Sequence, residues 1–140
     1  VPGVSRLIEQ RVELVDHGEF TQLEAGDILF IDSSHVSKTG SDVNFLFFEV
    51  LPLLKPGVIV HVHDIFLPDD YPRPWVIDDN RSWNEQYVLR ALLMYSTRFR
   101  VLFGCAHAAT AHSEAVIRAL ARSDGCGMGG GSLWLQVEPY

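Results

Sequence analysis

A chain of 140 residues, 47% hydrophobic and 21% charged, has the length and balance of one globular domain, residues 1–140, with a buried core. Lys and Arg number 11 against 18 Asp and Glu, and the net charge of -7 excludes the basic field that attracts nucleic acid or an anionic membrane surface. Cys105 and Cys126 are too few for a disulfide framework, and the apolar run 45–54 is broken by Glu49 and Pro52 and too short for a bilayer, so a cytoplasmic location is expected.

Val1-Pro2-Gly3 shows no basic stretch leading into an apolar one, so no signal peptide is expected, while a start without Met suggests that residues precede it. Segment 6–15 mixes charged and aliphatic residues and predicts a short strand. Ile28-Leu29-Phe30-Ile31, closed by Asp32, predicts a central strand buried on both faces of a parallel sheet. Ser33-Ser34-His35 follows as a polar loop. Ser41-Asp42 then offers an N-cap for a mostly buried helix over 43–54, which Lys55-Pro56-Gly57 ends. A second buried strand over 58–63 leads to Asp64. Strand, helix and strand make a βαβ unit whose right-handed crossover puts Asp32 and Asp64 on one edge.

The Pro- and Asp-rich segment 67–81 reads as an irregular lid. Beyond it the pattern predicts a helix over 82–95 with Tyr87, Leu89, Leu92 and Leu93 on one face, a strand over 100–104, a helix over 113–121 and a closing strand over 132–137. Gly-rich residues 125–131 precede a strand rather than open a helix, so they read as a connection and not a phosphate loop.

Ligands of open α/β sheets sit outside the carboxyl ends of parallel strands, which makes Asp32 and Asp64 the first candidates. Two converging carboxylates hold a hard divalent cation or orient a substrate hydroxyl, and the plain alternative is that each caps its loop. His35, three residues past Asp32, is a candidate proton acceptor or else a loop histidine bonded to nearby backbone. His61 and His63 share one strand face and, with Asp64, admit a metal-hydrolase reading, although a strand this apolar favours core histidines. Cys105, His107 and His112 lack the second cysteine pair that a zinc site needs. Trp75 and Trp83 stack on a flat ligand or anchor the lid.

The stretches Gly26-Asp27-Ile28-Leu29-Phe30-Ile31-Asp32-Ser33-Ser34-His35 and Leu54-Lys55-Pro56-Gly57-Val58-Ile59-Val60-His61-Val62-His63-Asp64-Ile65-Phe66 resemble the C-terminal half of class I S-adenosylmethionine-dependent methyltransferases, in particular the small-molecule O-methyltransferase-like group. The resemblance covers roughly residues 6–137. It implies a truncated Rossmann-like methyltransferase domain, a three-layer α/β sandwich with a mostly parallel sheet closed by a C-terminal antiparallel strand pair. Segment 6–15 falls on the family's third strand, 28–31 on the fourth and 58–63 on the fifth. In metal-dependent members, such as catechol and caffeoyl-coenzyme A O-methyltransferases, an Asp follows the fourth strand, a catalytic Lys comes three residues later, and an Asp-Asn pair follows the fifth. Asp32 and Asp64 thereby fall on metal positions, for Mg²⁺, and His35 on the Lys position, while Ile65 replaces the Asn.

The family's glycine-rich cofactor loop has no counterpart in the sequence, so the residues that bind S-adenosylmethionine are not identified. The implied activity is methylation of a small-molecule hydroxyl with His35 and Asp32 catalytic, in a chain incomplete or inactive alone. Its partner is then a second copy or a complementing upstream segment. The rival readings are a non-catalytic oligomerisation or binding remnant of that fold, and a metal hydrolase using His61, His63 and Asp64.

Overall fold

The computed structural model describes residues 2–120 and 130–140. Its frame is a four-stranded mixed sheet of β1 (Ile28–Ile31), β2 (Ile59–His63), β3 (Phe99–Gly104) and β4 (Ser132–Val137) in the order β1-β2-β4-β3. β1 and β2 pair in parallel, with Ile28 beside Ile59 and Ile31 beside Val62. β4 is inserted between β2 and β3 and runs antiparallel to both. Three strands therefore share a direction, yet only the β1–β2 pairing is parallel, which corrects the expected mostly parallel pairing.

The helices are short: α1 (Gly18–Thr21), α2 (Asp42–Phe45), α3 (Arg73–Ile77), α4 (Glu85–Tyr95), α5 (Cys105–Ala111) and α6 (Ser113–Leu120). The Ser41 hydroxyl caps α2 by accepting the Asn44 N–H at 3.2 Å. Pro52 has no N–H to return to the carbonyl one turn back. The chain passes that point through a π-helical turn at Leu46–Val50 and a 3₁₀ turn at Leu51–Leu53, where one regular helix was expected. Gly57, at φ +88°, then turns the chain toward β2, and a Cβ there would stand 2.6 Å from that of Ala25.

Strand alternation sorts the sheet into two faces. Ile31, Val60, Val62, Leu133, Leu135 and Val137 are buried in one core with Val43, Val50, Leu51, Leu54 and Leu89 of the helical segments. The other face carries Ile28, Phe30, His61, His63 and Trp134, and there Ile28 and Phe30 remain 52% and 58% exposed. Helical cover of both faces, as in a three-layer sandwich, is thus not what surrounds β1.

The strand expected at 28–31 forms, but as an edge rather than a central strand, because among the described residues β2 is its sole neighbour. No strand forms over 6–15. With no ladder beside it the segment makes only a 3₁₀ turn at Val12–Leu14, and Leu7 and Leu14 stay 73% and 71% exposed. The lid contains a short helix, α3, and α4 starts at Glu85, later than expected. Leu89 faces the core, whereas Tyr87 lies outside and donates to Asp70 at 2.7 Å. Cys126, Ala121 and all but the last two residues of the glycine-rich 125–131 fall outside the described residues.

Candidate active site

The carboxyl ends of β1 and β2 deliver Asp32 and Asp64 to the same edge, and the β1–α2 loop folds His35 back between them. His35 Nε2 lies 3.5 Å from Asp32 Oδ1 and 3.9 Å from Asp64 Oδ2. Both His35 and Asp64 adopt left-handed backbone conformations, at φ +59° and +52°. Such conformations cost non-glycine residues roughly 1–3 kcal/mol each and persist only where the surroundings impose them. At Asp64 the N–H donates to the Gly131 carbonyl at 2.8 Å. A Cβ on Gly131 would meet the Ile65 carbonyl and the Phe66 ring at 2.8 Å, so glycine is needed for that approach.

The His35 ring is almost enclosed. Its Nδ1 is 2.8 Å from Glu85 Oε2, and Trp83 lies against it with ring centroids 4.1 Å apart. Glu85 is fully buried and accepts the Ser33 hydroxyl at 2.9 Å through its other oxygen. Burial works against a charged imidazole, but the Glu85 hydrogen bond and charge, followed by Asp64 and Asp32, outweigh it, so the pKa stands above the ordinary 6.5. A pKa raised on folding contributes stability that is complete below the unfolded value and disappears as pH rises through the folded one. The stability of the native chain should therefore fall toward that of His35→Gln between neutral and alkaline pH in urea titrations. A pH-independent gap between the two proteins would contradict this electrostatic assignment.

Glu85 was not legible as a site residue because it lies 50 positions from His35. Its signal was an acidic residue opening a helix whose neighbours face the core, since a buried carboxylate requires a donor. Trp83 and Trp75 act as anchors for the lid: their rings meet edge to face at 5.3 Å, and the Arg81 guanidinium lies over both at 4.8 and 4.3 Å. Tyr71 joins this cluster, and burial pushes its phenol well above the ordinary range.

The histidines of β2 divide. His61 is buried, stacked on Phe30 at 4.2 Å and against the Trp134 edge at 4.5 Å, and burial followed by the charge of His63 lowers its pKa. The His63 side chain is 40% exposed, with Nε2 3.6 Å from Asp64 Oδ1, so it is not the core residue expected. The Ser132 hydroxyl donates to Cys105 Sγ at 2.8 Å, and among the described residues Cys105, His107 and His112 form no metal-holding group.

Among the described residues no group of three or more His, Cys, Asp or Glu side chains is placed to hold a metal ion. The Mg²⁺ expectation at Asp32 and Asp64 therefore lacks a ligand set: the His35 ring stands between the carboxylates, and Ile65, where an amide oxygen would help, is apolar and buried. Calorimetric titration with Mg²⁺ should show at most weak binding, and a submicromolar dissociation constant would contradict this reading. The hydrolase reading of His61, His63 and Asp64 finds no ligand set either.

An open cavity of about 600 Å³ runs along β1, lined among others by Val12, Phe20, Leu29, Phe30, Asp32 and Lys38. Residues 1–65 match a family described as a methyltransferase domain. That part of the chain is methyltransferase-like. The matched segment contains Asp32, His35 and Asp64, and the α/β architecture of the remainder is compatible with the same fold. No curated protein and no solved structure matches the chain. Among the described residues, no helix is long and apolar enough to cross a membrane.

Methyltransferases of this kind use S-adenosylmethionine. At Gly26 and Gly40, the positive-φ glycines flanking β1, an added Cβ would meet nothing within 4 Å. The backbone at these turns is therefore open to the approach of a ligand, a situation in which glycine is favoured.

Proposed function

We propose that the chain supplies the acceptor side of a methyltransferase domain that methylates a hydroxyl of a small molecule. The observation that carries this reading is the convergence of Asp32, His35 and Asp64 at one sheet edge within the methyltransferase-like segment. His35 takes the hydroxyl proton at Nε2, which leaves the oxygen nucleophilic, and Asp32 and Asp64 orient the acceptor by receiving its other hydrogen bonds. S-adenosylmethionine supplies the electrophilic methyl group in this family. Calorimetry with S-adenosylhomocysteine, followed by label transfer, tests the reading: cofactor binding without any dependence of transfer on His35 would refute it.

The exposed β1 edge favours a second reading, a non-catalytic association module. Under either reading the isolated chain binds S-adenosylhomocysteine weakly and self-associates. Ile28 and Phe30 are half exposed beside unpaired backbone groups, and such an edge is normally covered. Burying two side chains of this size is worth up to about 1.5–3 kcal/mol each. Light scattering at tens of micromolar, on the order of weak-dimer dissociation constants, should detect more than monomer. A strict monomer, or tight cofactor binding by the chain alone, would refute the incomplete-site account.

A further inference from the structure

We infer that Glu85, with Trp83 and Asn84 before it, forms the holder that fixes His35, and that Glu85 is a positioning residue selecting the ring form with hydrogen on Nδ1. The inference rests on the proposed role of His35 as proton acceptor. Four features of the α4 entrance meet at this one histidine. The Asn84 and Glu85 N–H groups both donate to the His35 carbonyl, at 3.0 and 3.2 Å. The Asn84 side chain accepts the Ser37 N–H at 2.6 Å and donates to the Ser37 carbonyl at 3.2 Å, closing the loop two residues further on. Trp83 lies against the imidazole, and the Glu85 carboxylate meets Nδ1.

Ser33 completes the arrangement from the other side. Its hydroxyl accepts the His35 N–H at 2.9 Å while donating to Glu85, so the backbone and the ring of His35 are tied to the same buried carboxylate. These contacts account for a histidine held at φ +59°.

The selection of ring form follows from donor arithmetic. An ionised carboxylate only accepts, and a neutral imidazole has a single N–H. With Glu85 at Nδ1, that hydrogen resides on Nδ1 and the lone pair is left on Nε2. Nε2 is 3.5 and 3.9 Å from the Asp32 and Asp64 oxygens, beyond ordinary N–H···O hydrogen-bond length, so its lone pair remains available to a hydroxyl.

Nitrogen-15 NMR of the His35 ring in the intact chain, recorded at alkaline pH where the ring is neutral, tests this directly. The native protein should show hydrogen on Nδ1. Glu85→Gln retains an accepting oxygen and should keep that form, whereas Glu85→Leu should move the hydrogen to Nε2, the form an unconstrained histidine prefers. Hydrogen on Nε2 in the native chain overturns the inference, and this result does not require Glu85→Leu to fold. An unchanged ring form in folded Glu85→Leu overturns it as well. In label-transfer assays Glu85→Leu should lose turnover toward the roughly 10²- to 10⁴-fold deficit expected without a base. The spectrum reads the ring whatever the acceptor, so a correct ring form together with unimpaired His35→Ala turnover sinks the functional reading and leaves the ring assignment standing.

Discussion

His35→Ala should slow methyl transfer by roughly 10²- to 10⁴-fold, the usual contribution of a positioned general base, while leaving affinity for S-adenosylhomocysteine nearly unchanged. The two halves of that expectation have separate causes. His35 Nε2 lies 3.5 and 3.9 Å from the Asp32 and Asp64 oxygens, the edge at which the proposal puts the acceptor hydroxyl, so its loss should fall on proton removal. His35 is held by Glu85 and Trp83 at the strand end and is given no role in holding the cofactor, so its truncation is not expected to change that affinity. The pH profile has a definite direction. A base acts in its neutral form, and the pKa of His35 stands above the ordinary 6.5, so native turnover should climb with pH through that raised value. His35→Ala should lack this limb. A variant that retains both the rate and the limb, where chemistry limits turnover, would reduce His35 to a structural loop residue.

Leu135→Ala should destabilise the fold by about 2–5 kcal/mol, the cost of deleting a buried leucine side chain whose surroundings relax only in part. Leu135 is fully buried on β4, beside Val60 of β2 and Val101 of β3, and so lies where both halves of the sheet meet. Because domains are stable by only about 5–15 kcal/mol, this change removes a large share of the total. Leu14→Ala is the natural control: at 71% exposure its loss should fall within about 0.5 kcal/mol. Urea denaturation of the two variants reads the difference, and equal midpoints would contradict the placement of the core on this sheet face.

Local pattern made much of this architecture legible. Ile28–Ile31 and Ser132–Val137 form strands at the bounds their apolar content predicts, and the βαβ rule predicts the shared edge at which Asp32 and Asp64 lie. Pairing partners were harder to read, since strand character is local and a ladder is not. Among the described residues, segment 6–15 has aliphatic residues but no strand beside it, and Ile28–Ile31 has the composition of a central strand with a neighbour on one side only. The π-helical turn before Pro52 was missed because helix periodicity does not encode how a chain accommodates a missing N–H. Within the candidate site, the strand ends account for the convergence of Asp32, His35 and Asp64. Glu85 and Trp83 escaped because their roles arise only when the entrance to α4 closes on the β1–α2 loop.

Whether a methyl group reaches an acceptor oxygen at this edge is decided by one measurement. The longest natural form of the chain is incubated with methyl-labelled S-adenosylmethionine and a panel of small hydroxyl compounds, beside the His35→Ala variant, and the products are identified by mass spectrometry. The account predicts O-methylated product from the native protein and a deficit of at least about 100-fold in the variant, the lower bound for a positioned base. Label found only on nitrogen or carbon, or equal O-methylation by both proteins, would contradict it.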